Sequence, residues 1–361
     1  FSKRIFLSPP FINGNEINYL QNAIDSNWIA PQGPNIDKFE KKINIYLNRQ
    51  FSAALSSGTA ALHLALKVLG VKSGDYVFCS DLTFVACANA IKYVNANPVF
   101  IDSEYLSWNM CVKSLEKAFK YYSPKVVIVT DLYGQSANYN EILEICKKHN
   151  TPVIEDSAES LGASYKNKKC GSFGEISILS FNGNKIITTS GGGMILSNNE
   201  EYIKKAKKIS TQSREEKIYY EHKEIGYNYR MSNILASIGL AQLNHLDDNV
   251  NMTRQIFKLY KRDLEGVEAI DFMPEIEGGR STNWLSVILL KQKSFNEINK
   301  IISYLNEYNI ETRPIWKPMH LQPLYSKYEF FYVEEIPVSK FLFEHGICLP
   351  SGCNLNEEDQ V

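Results

Sequence analysis

Between residues 51 and 156 the sequence alternates short apolar runs with longer segments that carry apolar residues at helical spacing. The apolar runs show little polar alternation, which is typical of strands covered on both faces. The predicted strands are Ser52–Leu55, Tyr76–Ser80, Pro98–Ile101, Val126–Thr130 and Val153–Glu155, and the helices between them are Ala60–Leu69, Phe84–Tyr93, Val112–Tyr121 and Asn140–His149. This alternation predicts an α/β fold with a mostly parallel central sheet flanked by helices.

The alternation changes beyond residue 156, where three predicted strands follow one another with glycine-bearing turns and no helix between them. These strands, Ala163–Tyr165, Ile176–Phe181 and Gly193–Leu196, are expected to give the sheet an antiparallel member. Two predicted helices follow, Glu200–Ser210 and Asn233–Leu264, and the second is long enough to act as a spine between domains.

The C-terminal part of the chain has a simpler pattern. It predicts two strands and two helices, in the order Ser286–Leu290, Phe295–Tyr308, Glu334–Glu344 and Ile347–Leu349. We therefore expect a large domain at residues 1–250, which includes an N-terminal segment, and a smaller α+β domain at residues 251–361. Because the sequence lacks an initiator methionine and has a polar end, we expect it to be trimmed, with the true C-terminus beyond residue 361.

The charge balance and the cysteine spacing restrict the partners and the cellular compartment that we expect for this protein. Lys and Arg number 39 against 40 Asp and Glu, a balance that leaves no electrostatic footprint for nucleic acid or an anionic membrane surface. No apolar run reaches the roughly 18 residues that a membrane span needs. The seven cysteines are scattered, without metal-ligand spacing, so we expect reduced thiols, no metal and a cytoplasmic location.

One lysine stands out because it lies between a predicted buried strand and a glycine-rich turn. Lys185 follows the strand Ile176–Phe181 and precedes Gly191-Gly192-Gly193. A lysine just past a strand end can form a Schiff base with a carbonyl when burial and neighbouring groups supply the free amine. The alternative is a surface lysine in an ordinary hairpin.

A second candidate site is the turn Ser57-Gly58-Thr59, which follows a predicted strand and opens a helix. Its free backbone N–H groups, its hydroxyls and the positive end of the helix could hold a phosphate. The alternative is a plain N-cap, because Ser and Thr are favoured there. The turn matches neither GxxxxGK[ST] nor GxGxxG, which disfavours a nucleoside triphosphate or a Rossmann dinucleotide.

An acid and an aromatic residue complete the set. Asp156 ends a buried strand at the sheet edge where ligands bind, and its carboxylate could pair with the protonated ring nitrogen of a pyridine cofactor. The alternative is an aspartate that caps the next turn. Phe84 begins a helix after another strand and could stack on such a ring, although a phenylalanine there could equally belong to the core.

In this order along the chain, these groups resemble the fold-type I pyridoxal-phosphate enzymes, and more narrowly the nucleotide-sugar aminotransferases of the DegT/DnrJ/EryC1/StrS family. The segments that carry the resemblance are Pro31–Pro34, Ser57–Leu62, Thr83–Ala86, Glu155–Glu159, Ser180–Gly193, Gly226–Ser232 and Glu311–Pro314. The resemblance implies pyridoxal 5'-phosphate as cofactor, pyridoxamine 5'-phosphate during turnover, and a homodimer with shared active sites.

The resemblance also implies roles for individual residues. Lys185 would form the Schiff base, Asp156 would pair with the pyridine nitrogen, and Phe84 would lie against the ring. The phosphate would be held by Ser57, Gly58, Thr59 and Ser180, with Asn228 reaching over from the partner subunit. Glu159 stands where the family often has Gln or His near the cofactor's phenolic oxygen, and a carboxylate there could be protonated or could shift the pKa of the Schiff base.

The residues before the lysine bear on the substrate. Ser-Phe-Asn-Gly-Asn-Lys at 180–185 replaces the commoner Ser-Phe-His-Pro-x-Lys and is similar to the enzymes that aminate C4 of UDP-4-keto-6-deoxy-N-acetylglucosamine, with L-glutamate as donor. Related enzymes with nearly the same motifs act on dTDP-4-keto-6-deoxyglucose. Candidates for holding the sugar nucleotide are Asn27, Trp28, Arg230, Arg313, Trp316, Lys317 and His320, and the alternative for each is a surface or loop-packing residue.

Two rival functions share the fold. A sugar dehydratase of this type has histidine at the lysine position in the family pattern, so Lys185 disfavours it. A non-catalytic regulator or binding protein would be expected to lose Lys185 or Asp156, and this chain retains both.

Overall fold

The structure, a computed structural model that describes residues 3–360, is built from short strands and helices in alternation. The strands are β1 (Phe51–Leu55), β2 (Tyr76–Ser80), β3 (Asn97–Ile101), β4 (Val126–Thr130), β5 (Val153–Asp156), β6 (Ser164–Tyr165), β7 (Lys168–Lys169), β8 (Ile176–Ser180), β9 (Gly193–Ser197), β10 (Ile270–Phe272), β11 (Gly279–Arg280), β12 (Ser286–Leu290), β13 (Arg313–Pro314), β14 (Phe330–Phe331) and β15 (Gly346–Leu349).

The helices precede, separate and follow these strands. They are α1 (Glu16–Asp25), α2 (Pro34–Leu47), α3 (Gly58–Val68), α4 (Ala86–Tyr93), α5 (Val112–Phe119), α6 (Tyr139–Lys148), α7 (Glu200–Ser210), α8 (Asn233–Leu243), α9 (Leu246–Asp263), α10 (Phe295–Glu307), α11 (Val338–His345) and α12 (Glu357–Gln360), with 3-10 turns at Leu132–Gly134 and Met319–Leu321.

The largest sheet has eight strands in the order β1-β9-β8-β5-β4-β2-β3-β14. Strand β9 runs antiparallel to both of its neighbours, and every other neighbouring pair is parallel. The predicted mostly parallel sheet with one antiparallel member is therefore confirmed. Because Asp156 pairs with Thr130 of β4 and with Ile178 of β8, the carboxyl ends of β4, β5 and β8 meet at one edge.

Strand β4 shows why the apolar runs lack polar alternation. All five of its residues are buried. Val126 and Ile128 pack into a cluster that includes α3 and α4, whereas Val127 and Val129 pack into a second cluster with α5 and α6. Helices cover both faces, so both sets of alternating side chains must be apolar.

A second sheet, of order β10-β12-β15-β13, lies in the C-terminal part and is antiparallel throughout. Helix α10 beside it begins with a capping box, in which Ser294 and Glu297 each bind the other's backbone N–H. The predicted boundary after residue 250 falls inside α9, and β14 returns from the C-terminal part to pair with β3. The division into two domains stays a prediction.

Two helix predictions are wrong. The long helix predicted at Asn233–Leu264 is interrupted, because His245 leaves the helical region with φ −114° and ψ 10° between α8 and α9. The helix predicted from Glu334 begins only at Val338, after Pro337, which has extended backbone angles. Its first two N–H groups are donated to Asp102, so a buried carboxylate fixes the start of this helix.

The cysteines and the helices bear on the expected compartment and partners. All seven cysteines are free, and six of them are buried. Within residues 3–360 no helix has the length and apolar character needed to cross a membrane. The expected continuation past residue 361 lies outside the described residues.

Candidate active site

A cavity of about 360 Å³ lies at the sheet edge where β4, β5 and β8 end. It is lined by all the predicted cofactor residues except Asn228, namely Ser57, Gly58, Thr59, Phe84, Asp156, Glu159, Ser180 and Lys185. Residues separated by up to 128 positions in sequence are therefore brought together because the strand ends and the start of α3 share one edge.

Lys185 follows β8 in a tight turn, in which its backbone N–H donates to the Asn182 carbonyl at 3.0 Å. Its side chain is only 12% exposed, and Nζ lies 3.7 Å from Oε1 of Glu159. On another side the amine faces the Trp284 ring, 4.1 Å from the ring centroid. The structure therefore places this lysine inside the cavity, and not on the surface of a hairpin.

Asp156 has both of its oxygens engaged. Oδ1 accepts the Ala158 N–H at 3.1 Å, and Oδ2 accepts the Cys87 thiol at 2.8 Å. Burial raises the pKa of this carboxyl, although the two donors and the charge of Lys185 act in the opposite direction. Asp156 therefore caps the following turn through Ala158, which was the alternative to a cofactor role, and it also lines the cavity.

Glu159 is buried beside the lysine. Its Oε2 accepts the Tyr133 N–H at 2.8 Å, which leaves Oε1 to face Lys185. Burial raises the pKa of the carboxyl, and the charge of Lys185 together with the Tyr133 N–H opposes that shift. Glu159 is therefore a buried carboxyl group held next to the Lys185 amine.

The start of α3 forms the opposite end of the cavity. The Ser57 hydroxyl caps the helix by accepting the Ala60 N–H at 3.0 Å. Gly58 and Thr59 are the first helical residues, so their N–H groups have no intrahelical acceptor and remain suited to an anion. A Cβ on Gly58 would lie 3.0 Å from Cβ of Ser180, which means that the helix start packs directly on the end of β8.

These groups fit pyridoxal phosphate. The helix start suits its phosphate, Asp156 suits a protonated ring nitrogen, and Lys185 suits its aldehyde carbon. Phe84 is 53% exposed and packs against the Trp316 ring at 5.8 Å, so it is not the core phenylalanine considered as the alternative. Its ring lines the cavity.

A second cavity of about 860 Å³ shares Asn184 and Trp316 with the first. Of the predicted sugar-nucleotide residues, it is lined by Arg313, Trp316 and Lys317. Arg313 forms an exposed ion pair with Glu311 at 2.8 Å, so its guanidinium can exchange this partner for a ligand. The second cavity is the mouth through which a bulky substrate could approach Lys185.

The other predicted substrate residues line neither cavity. The His320 ring stacks on Phe330 at 3.9 Å and lies 2.7 Å from Oδ2 of Asp81, contacts that give it a packing role within this chain. Trp28 is 44% exposed, and Asn27 has a positive φ of 57°. Arg230 forms a backbone bridge to Leu55, and the predicted cofactor residue Asn228 forms one to Thr211.

Sequence reasoning missed three neighbours of the site. Cys87 lies one helical turn after Phe84, and that spacing is the one signal that could have revealed it. Trp284 donates its indole N–H to the Asn184 carbonyl at 2.7 Å, a contact across 100 residues that no local pattern announces. The backbone N–H of Tyr133 donates to Glu159, and the hydroxyl of Tyr133 accepts the backbone N–H of Trp316 at 2.9 Å. Tyr133 therefore connects a residue of the first cavity to one that lines both.

The α/β fold, with a buried lysine, an acid and an open helix start at one sheet edge, is the arrangement expected of a pyridoxal-phosphate-dependent enzyme. Residues 10–361 match the model of the DegT/DnrJ/EryC1/StrS aminotransferase family, and the chain belongs to that family. The resemblance stated from the sequence, the enzyme class and the cofactor are thereby confirmed.

Three named proteins are similar to this chain over most of its length, and their names describe different activities. EpsN of Bacillus subtilis, named as a pyridoxal phosphate-dependent aminotransferase, is 50% identical over 99% of this chain and 93% of its own length. GDP-perosamine synthase of Escherichia coli O157:H7 is 38% identical over 99% and 96%. A Campylobacter jejuni UDP-4-amino-4,6-dideoxy-N-acetyl-beta-L-altrosamine transaminase is 32% identical over 88% and 84%.

A solved structure supports the fold directly. The PMP-form of the sugar aminotransferase Spr1654 from Streptococcus pneumoniae superposes with a TM-score of 0.92 and 27% identity. The match covers 99% of this chain and 95% of that one. The helices and sheets therefore share one framework with a sugar aminotransferase of known structure.

Proposed function

We propose that this chain transfers the amino group of L-glutamate to C4 of UDP-4-keto-6-deoxy-N-acetylglucosamine, giving UDP-4-amino-4,6-dideoxy-N-acetylglucosamine. The observation that carries the proposal is the buried amine of Lys185, which shares one cavity with Asp156 and with the open start of α3. The dTDP-linked 4-keto-6-deoxyglucose is the alternative substrate. The similarity to GDP-perosamine synthase adds a GDP-linked keto sugar as a third.

The second cavity supports a nucleotide-linked substrate. A diphosphate calls for basic donors, and Arg313 and Lys317 both line this cavity. Trp316 borders both cavities and offers an aromatic face to a sugar or a base. A substrate held there would have its sugar ring near Lys185 and its nucleotide toward the mouth.

Bound pyridoxal phosphate supplies an electron sink that stabilises the negative charge left on a substrate carbon when its proton is removed. Lys185 acts as general base and then as general acid, because its Nζ faces the cavity and can carry that proton from one atom to the next. Asp156 keeps the cofactor's ring nitrogen protonated through its charge.

Two neighbours keep the Lys185 amine in position. Glu159 attracts its protonated form from 3.7 Å, and the face of Trp284 limits its movement on the other side. Phe84 and Trp316 pack against each other at 5.8 Å, and both rings line the first cavity, where they offer apolar faces to a bound cofactor or substrate. These residues thus bind and orient the cofactor and the substrate, while the Lys185 amine moves the proton.

The proposal extends to the assembly and the compartment. The site is completed in a homodimer, in which Asn228 of the partner subunit contacts the cofactor phosphate. The free thiols suit a reducing cytoplasm, where L-glutamate and nucleotide sugars would be the small-molecule partners.

The test is an assay of the purified, cofactor-loaded chain with L-glutamate and each of the UDP-, dTDP- and GDP-linked 4-keto-6-deoxy sugars. We expect 2-oxoglutarate to form, and kcat/KM for the UDP-linked sugar to exceed the others by at least about tenfold. NMR of the product would give its C4 configuration, which separates an equatorial from an axial amine.

The controls are two lysine variants. Lys185→Ala should lose turnover with every sugar, whereas Lys204→Ala, which removes an exposed lysine paired with Glu200 and Glu201, should retain it. Preference for a dTDP- or GDP-linked sugar would overturn the UDP assignment alone. Absence of 2-oxoglutarate with all three sugars would overturn the proposed function and favour a binding protein.

A further inference from the structure

The thiol of Cys87 contacts the acid of the active site from the side of helix α4. Its Sγ lies 2.8 Å from Oδ2 of Asp156, and Cys87 itself is fully buried. We propose that Cys87 is a positioning residue for the amino transfer: its S–H donates to Oδ2 and fixes the plane of the Asp156 carboxylate toward the cofactor's ring nitrogen. This inference rests on the proposed role of Asp156.

The surroundings of the thiol leave Asp156 as its natural acceptor. Thr83 and Thr130 lie farther from Sγ, at 3.5 Å and 3.8 Å from their hydroxyl oxygens. Those two hydroxyls are 2.8 Å apart and bond to each other. The other neighbour, Cys79, is a neutral thiol that donates its own S–H to the Ser80 carbonyl at 3.4 Å and is a weak acceptor. A charged oxygen at 2.8 Å is a better acceptor for a weak S–H donor than a neutral hydroxyl that is already paired.

The direction of the bond follows from the protonation of the thiol. Its hydrogen bond with Cys79, its burial and the charge of Asp156 all raise the pKa of Cys87 well above the ordinary range. Cys87 therefore remains a neutral thiol and donates. Burial raises the pKa of Asp156, and the charge of Lys185 opposes that shift. Because the sulfur of Cys87 keeps its proton, the thiol donates and Oδ2 of Asp156 accepts.

Two donors from different elements set the carboxylate plane. The Ala158 N–H, in the turn after β5, holds Oδ1, and Cys87, on α4, holds Oδ2. A carboxylate offers about four acceptor positions, so lone pairs remain for the N–H of a bound ring. Without Cys87 the carboxylate would keep one anchor and could rotate about it.

The direct test is the infrared S–H stretching band of the full-length protein without added cofactor. The difference between wild type and Cys87→Ser isolates the Cys87 band from those of the other six cysteines. We expect a band displaced to low frequency, as a bonded thiol gives, which moves to higher frequency in Asp156→Asn because the charged acceptor is lost.

The matched control is the thiol of Cys146, a buried cysteine on α6 that the wild-type minus Cys146→Ser difference isolates. Its band should stay in place in Asp156→Asn. A Cys87 band at the frequency of an unbonded thiol, or one that does not respond to Asp156→Asn, would overturn the inference without touching the proposed aminotransferase activity.

The second test measures the affinity for pyridoxal phosphate by the visible band of the bound cofactor. Cys87→Ala should bind it roughly tenfold more weakly, about the effect of losing one hydrogen bond, and Cys87→Ser should restore binding to within about twofold. Cys146→Ala loses a buried thiol of the same size and should bind like wild type. Equal affinity of Cys87→Ala and wild type, or no restoration by serine, would contradict the positioning role.

Discussion

At the scale of single residues, the environment of Lys185 distinguishes this site from a surface loop. The amine is enclosed between the Glu159 carboxyl and the Trp284 ring, and each neighbour comes from a different part of the chain. The sequence singled out Lys185 and Asp156 because they stand after and at a strand end, whereas Glu159 was reached only through the family resemblance. It could not predict Trp284, since that contact depends on how distant elements pack, and for Cys87 it offered only the three-residue spacing from Phe84.

Glu159→Gln is the residue-scale prediction. A carboxylate at 3.7 Å favours the protonated form of the nitrogen of Lys185 when that nitrogen is joined to the cofactor. Replacing the carboxylate by a neutral amide should therefore lower the pH at which this nitrogen loses its proton, by about one unit. The measurement is a pH titration of the cofactor's visible band.

Glu144→Gln serves as the control for Glu159→Gln. Glu144 pairs with Lys148 on the exposed face of α6, so its loss should leave the pH midpoint of the visible band unchanged. A midpoint that stays in place in Glu159→Gln would show that the carboxyl carries no charge beside the nitrogen. Burial, which raises the pKa of Glu159, would then be the dominant influence on it.

At the scale of elements, the strands β1, β8 and β9 and the start of α3 must approach closely around the turn Ser57-Gly58-Thr59, the predicted phosphate site. A Cβ on Gly193 would lie 2.3 Å from the Ser57 carbonyl carbon, so only glycine allows β9 to pass beneath this turn. Predicted strands such as Tyr76–Ser80 and Val126–Thr130 match the structure, because continuous apolar runs report burial on both faces.

The remaining errors at this scale have physical causes. Two-residue strands such as β14 exist only through pairing with a distant strand, and no local pattern encodes that partner. The break between α8 and α9 lies within apolar spacing that continues across it, so periodicity alone could not locate it.

Gly193→Ala is the element-scale prediction. The added methyl group must displace the backbone of Ser57 and Gly58, so we expect a loss of ~1–3 kcal/mol in unfolding free energy and a marked loss of pyridoxal phosphate binding. Gly191→Ala is the matched control for the free energy of unfolding, because a Cβ there meets no atom within 4 Å, although Gly191 itself lines the cavity. Denaturant unfolding and cofactor titration of both variants would check this. Equal behaviour of the two would contradict the close approach.

At the scale of the whole molecule, the described chain contains every predicted cofactor residue at one cavity except Asn228. Asn228 is exposed and bridges Thr211, away from the residues that line that cavity. We propose that it acts in the partner subunit, and on that proposal the complete site is a property of two chains. The segment that precedes Asn228 carries the exposed apolar side chains of Ile218, Tyr220 and Ile225.

Mixed dimers test this arrangement. We expect Lys185→Ala and Asn228→Ala homodimers both to be impaired, the first completely. A mixed dimer of the two variants should regain about half of the wild-type activity, because one of its sites has Lys185 from one chain and Asn228 from the other. Separate affinity tags allow the mixed dimer to be purified and assayed. A mixed dimer no more active than the mean of the two homodimers would contradict shared sites.

The central claim is that Lys185 is the amine that joins this chain to pyridoxal phosphate. Borohydride reduction of the cofactor-loaded protein makes that bond permanent, and mass spectrometry of the digested protein then identifies the modified lysine. We predict one reduced cofactor per chain, on Lys185, and none when L-glutamate is added before the reduction. A label on any other lysine, or a label that glutamate does not prevent, would contradict the account.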